Sequence, residues 1–308
     1  MSKETLSFKS LFEEFKQKAE PLLTKLADLR NSTQFPLLFH LQTSIAPWCV
    51  SPIYDLIAKL KEEERKNVDV IIFSSGGDAD TAYHIGRILH REVKGNLVFI
   101  VPRFAASAAT LLTFAGNKIL MASPSALGPV DPQVEISPRR FVSARSLRET
   151  FDLLIREIVE HPNLHKSTVE AFLEKLPMAE AVDYERLLEH TEELAADLLM
   201  LRMIKDRNKA QEIAKKFVKG FKYHGKNITI DECIELGLEV EELTGEELNL
   251  VWEFSKLWEN LALITAKAGS EIIPLGIGKG VAFLPTKRAQ TTEDQESLLE
   301  TIMSKLRE

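Results

Sequence analysis

Two cysteines, Cys49 and Cys233, are the only thiols in 308 residues. Neither a disulfide framework nor a thiolate metal cluster can be assembled from them, and so sparse a use of cysteine fits a reducing compartment. Long apolar runs are missing as well: no stretch approaches the roughly 18–20 residues of a membrane-spanning helix. The first residues, Met1 to Leu29, are charged and helix-periodic and hold no apolar core of the signal-peptide kind. These absences point to the cytoplasm; peripheral contact of the N-terminal helix with a membrane stays compatible with them. A basic excess is also lacking. The formal net charge is −7, which argues against a nucleic-acid partner, because phosphate binding needs a clear positive face. The basic residues between Lys205 and Lys222 alternate with acidic ones and read as a solvated helix face. No repeat of the solenoid kind is present.

What the chain does have is alternation. Phe8, Leu11, Phe12, Phe15, Ala19, Leu22, Leu23 and Leu26 recur at helical spacing. Pro36 to Gln42 predicts a strand. Ser51, with Pro52 at the first helical position, opens a helix to about Lys66. Val68 to Phe73 predicts a strand, Asp80 to Val93 a helix, Leu97 to Pro102 a strand, Ser107 to Ala115 a short helix and Lys118 to Ala122 another strand. Such alternation implies an α/β fold with a parallel sheet covered on both faces. After Pro138 helices dominate: Phe141 to Val159, Val169 to Leu176, and a long stretch from Ala179 to Val218. Thr229 to Leu236 carries a capping box, Thr229 with Glu232 three residues on, and Gly237 closes it. Pro274 to Pro285 suggests a hairpin, and Leu298 to Leu306 a small amphipathic helix. The expected organisation is a helical arm over residues 1–35, an α/β domain over 36–245, and a C-terminal helix, hairpin and polar tail over 246–308.

Two strand-to-helix turns carry the chemistry. The first, Phe73-Ser74-Ser75-Gly76-Gly77, offers glycine amides that can approach a substrate closely. The second, Ala105-Ala106-Ser107-Ala108-Ala109-Thr110, offers the Ser107 hydroxyl among alanines at the start of a helix. A serine nucleophile needs fixed N–H donors for the oxyanion of its tetrahedral intermediate, and Gly76, Gly77 and Ala108 are suited to supply them. The plainer explanation is a tight turn in the first case and a helix N-cap in the second.

With Val68 to Gly77, Ala105 to Thr110, and Ala126-Leu127-Gly128-Pro129-Val130-Asp131-Pro132-Gln133, the chain resembles the serine dehydrogenase proteinase family. That family has the Clp-peptidase/crotonase fold and is related to signal peptide peptidase A. The Leu-Gly-Pro-Val-Asp-Pro-Gln run is the most specific part. The segment Tyr223 to Thr229, followed by Leu236-Gly237-Leu238, resembles the family's closing strand–helix element, so the likeness covers roughly Pro36 to Val240. It implies a β-β-α superhelix with added helices, a serine peptidase mechanism on peptide or protein substrates, and homo-oligomers. By position it makes Ser107 the nucleophile and Gly76, Gly77 and Ala108 the oxyanion hole.

The proton acceptor is what the chain withholds. Clp peptidases place a histidine a couple of dozen residues after the serine, where this chain has Val130 and Asp131. Signal peptide peptidase relatives use a lysine further on, yet no lysine occurs between Lys118 and Lys166. Arg145 and Arg148 stand in that interval, Arg148 being 41 residues after Ser107, and arginine stays protonated. The remaining candidates are His224, which lies close to where Clp peptidases place their triad aspartate, Lys166 if its segment folds back, and Asp131 as an orienting group. Without any of them the chain is a degenerate relative that binds rather than cleaves. A crotonase-type acyl-CoA enzyme shares the oxyanion geometry and is the third reading.

No cofactor or metal is expected. Gly276-Ile277-Gly278-Lys279-Gly280 is too short for a phosphate loop and lacks the strand-to-helix setting. His161 and His165 have no glutamate base between them, and Pro162 interrupts any helix joining them. Asp78 and Asp80 read as solvated turn carboxylates, and Trp48, Trp252 and Trp258 as core or interface anchors.

Overall fold

The computed structural model describes residues 8–39, 44–137, 140–161, 170, 181–267, 271–277 and 280–287. Its centre is a seven-stranded sheet. Strands β1 (Thr33–Leu38), β2 (Asn67–Phe73), β3 (Asn96–Val101), β5 (Lys118–Met121) and β9 (Val240–Glu242) run parallel in that order. The hairpin β10 (Glu271–Ile277) and β11 (Gly280–Lys287) extends the sheet antiparallel from β1. Two short pairs stand outside it: β4 (Phe104–Ala105) with β6 (Ala126–Leu127), and β7 (Gln133–Ser137) with β8 (Arg140–Ser143).

Because side chains alternate along a strand, each central strand feeds two cores. Val68, Val70 and Ile72 of β2, Leu97, Phe99 and Val101 of β3, and Ile119 and Met121 of β5 belong to one cluster. Ile71 and Phe73, Val98 and Ile100, and Leu120 belong to the other. The first face is covered by α2 (Val50–Ala58), α3 (Ala79–Glu92), α4 (Ala108–Thr113), α5 (Ala144–Glu160), α6 (Ala181–Arg202), α7 (Arg207–Lys219) and α8 (Ile230–Glu235). The second is covered by α1 (Phe8–Arg30) and α9 (Gly245–Lys267), which pack on each other with the Phe15 ring 6.1 Å from Phe254 and 6.3 Å from Trp258. This is the parallel α/β architecture with added helices that the alternation implies.

Several boundaries differ from the sequence expectation, each for a local reason. The helix expected from Ser51 to Lys66 ends at Ala58, and a separate 3-10 turn covers Glu63–Arg65. Residues Phe141 to Ser143 are strand, not helix, because they pair with β7; Ser143 then caps α5 by accepting the Ser146 amide. The long helix expected from Ala179 to Val218 is two helices, since Asp206 turns extended and its carboxylate accepts the amides of Asn208 and Lys209 to start α7. The Thr229–Glu232 capping box is present in full, and Gly237 takes φ +88 after α8. Trp258 is a fully buried anchor, whereas Trp48 is largely exposed. The end of the strand expected to reach Gln42, the helices expected at Val169 to Leu176 and at Leu298 to Leu306, and residues Lys166, His165, Gly278 and Lys279 lie outside the described residues, Glu170 excepted.

Candidate active site

Parallel strands deliver their loops to one edge, and α/β sheets use the edge at the strands' carboxyl ends. Here β2 and β3 end side by side. Beyond β2 the chain makes the glycine turn; beyond β3 it runs through Arg103 and β4 to Ser107. The two loops touch. An added Cβ at Gly76, where φ is +107, would lie 2.6 Å from the Ala106 carbonyl oxygen, 2.8 Å from Ser107 Cβ and 3.1 Å from the Ala108 nitrogen. Only glycine fits there, for space and for dihedral. Gly77, at φ +147, is held on the other side: a Cβ would meet the Ile45 carbonyl oxygen at 2.2 Å. The Ile45 amide donates to the Gly76 carbonyl and the Asp78 amide to the Ile45 carbonyl, each at 2.8 Å.

Ser74, which carried no signal of its own in the sequence, ties both loops. Its buried hydroxyl accepts the Gly76 amide at 3.1 Å, and its carbonyl accepts the Ala106 amide at 3.1 Å. The Gly76 N–H is thereby engaged inside the turn. The Gly77 amide has no hydrogen bond among the described residues, and Ala108 is the first residue of α4, where helix amides have no intrahelical acceptor.

Ser107 takes φ 52 and ψ −121, a conformation that costs a non-glycine residue roughly 1–3 kcal/mol and clusters at functional sites. Its hydroxyl caps no helix amide, so the ordinary reason for a serine at that position does not apply. Ser107 is half-buried and stands between alanines in the chain.

A third segment passes behind the serine. The Gly128 amide donates to the Ala105 carbonyl at 2.9 Å and to Thr110 Oγ1 at 3.1 Å. Thr110 Oγ1 in turn donates to the Ala105 carbonyl at 2.6 Å. A Cβ on Gly128 would meet Ala106 Cα at 3.0 Å. Three residues on, Asp131 is 6% exposed. Leu127 exchanges backbone hydrogen bonds with Ile228 at 3.0 and 2.8 Å, which brings the loop between α7 and α8 alongside. That loop carries His224, whose Nδ1 lies 3.8 Å from Asp131 Oδ2. Neither His224 Nδ1 nor Asp131 Oδ1 has a hydrogen bond among the described residues.

The arginines of α5 are committed elsewhere. Arg145 donates to the Phe221 carbonyl and pairs with Glu149 at 2.7 Å, anchoring the His224 loop. Arg148 pairs with Asp152 and, at 3.3 Å, with Glu185; the hydrogen bond it donates to Asp152 raises its pKa further. The two thiols are poor nucleophiles, since burial pushes Cys49 to about 11 and Cys233 to about 12. Among the described residues, no three His, Cys, Asp or Glu side chains cluster as a metal would require, and no helix is long and apolar enough to cross a membrane.

The sequence profile of the ClpP-like SDH-type serine proteinases matches residues 16–279. The chain belongs to that family. Its fold is accordingly the Clp-peptidase type, and the signature segments of all three loops fall within the match. As a ClpP-like SDH-type proteinase it has relatives in Methanocaldococcus jannaschii. One uncharacterized protein is 28% identical over 251 residues, 76% of this chain and 77% of that protein. A second is 29% identical over 176 residues, 56% of this chain and 51% of that protein. Among solved structures, a membrane-bound stomatin-specific protease aligns with TM-score 0.42 and 15% identity, covering 72% of this chain and 82% of its own. ClpP1 of Listeria monocytogenes aligns with TM-score 0.42 and 14% identity, covering 74% of this chain and 99% of its own.

Proposed function

We propose that this ClpP-like proteinase is an active serine peptidase with Ser107 as nucleophile. The single observation that carries the reading is the direct contact of Gly76 with a backbone-strained Ser107 whose hydroxyl caps nothing. Ser107 Oγ attacks the scissile carbonyl carbon, and its proton passes to the base as the C–O bond forms. The Gly77 and Ala108 amides receive the negative oxygen, while Gly76, its own amide held by Ser74, keeps the turn open beside the serine. Collapse of the intermediate expels the amine, which takes the proton back from the base. Water then attacks the acyl-enzyme by the same route and releases the acid.

His224 is the base in this reading and Asp131 its orienting carboxylate. A buried carboxylate on the segment that lines Ser107, with an imidazole at 3.8 Å, is a pair that can close to a hydrogen bond when substrate binds, since catalytic contacts are often long in the free enzyme. Lys166 remains the alternative base. The family is one of proteinases, which leaves the acyl-CoA reading without support. A binding role without turnover is the second reading, favoured by the two committed arginines where a lysine base would be expected.

Ile136 and Phe141 on the β7–β8 hairpin and Leu153, Ile155 and Val159 on α5 are exposed apolar residues, which supports a homo-oligomer. The free, buried cysteines support a cytoplasmic address. A fluorophosphonate probe tests the core of the reading. Wild type should be labelled and Ser107→Ala should not; equal labelling of both overturns it.

A further inference from the structure

We infer that Arg103 is a positioning residue, through which the C-terminal helix α9 holds the nucleophile loop from the opposite face of the sheet. Ser107 is joined to the end of β3 by only a few residues, and its strained dihedrals need support from outside the loop. Arg103 provides a fixed point at the start of that connection. Its guanidinium carbon lies 3.5 Å over the Trp252 ring. Its Nε is 2.8 Å from Glu259 Oε1, and its Nη2 donates to Glu259 Oε2 at 2.8 Å. Trp252 and Glu259 are seven residues apart on α9, two turns along one face, so a single helix presents both a flat surface and a carboxylate fork. Stacking fixes the plane of the guanidinium, and the Nη2 hydrogen bond with the close Nε–carboxylate ion pair fixes its position, the Nε–H itself making no hydrogen bond among the described residues; a lysine cannot reproduce the stacked plane.

The constraint is passed along the chain by adjoining contacts. The Arg103 carbonyl accepts the Ala126 amide at 3.0 Å. The next residue, Phe104, packs its ring 4.6 Å from that of Phe73, the last residue before the glycine turn. Ala105 then meets Ser74 in an isolated parallel bridge. One anchored arginine therefore sets the start of the segment whose end must meet Gly76 and Ser74 in register. Arg103 and Glu259 are partly buried, with side chains 24% and 37% exposed, so the pair is shielded more than a free surface bridge.

The inference rests on Ser107 being the nucleophile, and two readouts separate its fate from that reading. The first is the second-order rate of fluorophosphonate labelling at Ser107, measured well below the melting temperature. Arg103→Ala and Glu259→Gln should each slow it about tenfold, since small misplacements of reacting groups cost on that order or more. Arg103→Lys should fall between Arg103→Ala and wild type, because it keeps the charge without the flat group stacked on Trp252. With a peptide substrate, kcat should fall while KM stays within twofold. The second readout is hydrogen exchange of the segment Phe104 to Leu111, which is independent of catalysis. It should speed up in Arg103→Ala while exchange in β2 and β3 stays unchanged. Wild-type rates in the variants, or faster exchange spread evenly over the sheet, overturn the inference. If wild type itself is not labelled, the peptidase reading falls, and the exchange result alone decides whether Arg103 holds the loop.

Discussion

The Gly76 position and the Ser107 side chain occupy adjoining space so closely that a methyl group on the glycine would stand 2.8 Å from Ser107 Cβ. Two turns separated by a helix and a strand are thereby made into one site. Gly76→Ala should abolish probe labelling of Ser107 and destabilise the fold by about 1–3 kcal/mol, from both the positive φ and the clash. Denaturant titration alongside the labelling assay checks both. A labelled, fully stable variant would mean that the loops are not in contact.

Ser74 joins the same two loops by hydrogen bonds to Gly76 and Ala106. Its replacement by alanine leaves the buried Gly76 amide without an acceptor, a loss of about 1–3 kcal/mol. Ser74→Ala should therefore lower both stability and kcat. A variant as active and as stable as wild type would remove the hydroxyl from the account of the turn.

The proton acceptor can be assigned by comparing three variants. His224→Ala should lower kcat/KM by about 10²–10⁴-fold, the usual range for a general base. Asp131→Asn should lower it less, because the imidazole stays in place. Lys166→Ala should keep wild-type activity. Steady-state kinetics on a fluorogenic peptide reads all three, and loss at Lys166 with retention at His224 transfers the role to the lysine.

His90, near the end of α3, has its pKa lowered by burial and then by the nearby Arg202 and Arg87 charges. The folded state thus binds this proton more weakly than the unfolded chain does. Its contribution is largest above the folded and unfolded pKa values, where the imidazole is neutral in both states, and stability is lost as the pH falls below the unfolded value near 6.5. Thermal melts at pH 7.5 and about 5.5 should show a drop that is smaller in His90→Gln. An identical drop in the variant would assign the pH dependence to other groups.

Much of this molecule is written locally. Val68 to Phe73, apart from Asp69, and Leu97 to Val101 are buried on both faces and read as apolar runs, as strands in the middle of a parallel sheet must. The Gly76-Gly77 turn and the Thr229–Glu232 capping box depend on residues within a few positions of one another, so spacing suffices to find them. The break before Asp206 and the strand at Phe141 were not legible in the same way. The first lies in a run of good helix formers, and the second becomes strand only by pairing with Gln133–Ser137.

Composition, strand periods and turn chemistry determined by themselves that the chain is an α/β protein with two glycines at the end of one strand and Ser107 beyond the end of the next. Only the tertiary structure decided that Gly76 touches Ser107, and that Ser74 bonds to both loops. It likewise decided that His224 faces Asp131 across 93 residues of chain and that α9 grips Arg103. The reason is physical. Dihedral preference and burial period act over a few residues, whereas these contacts follow from the order in which parallel strands are laid side by side and from which loops that order carries to a common edge.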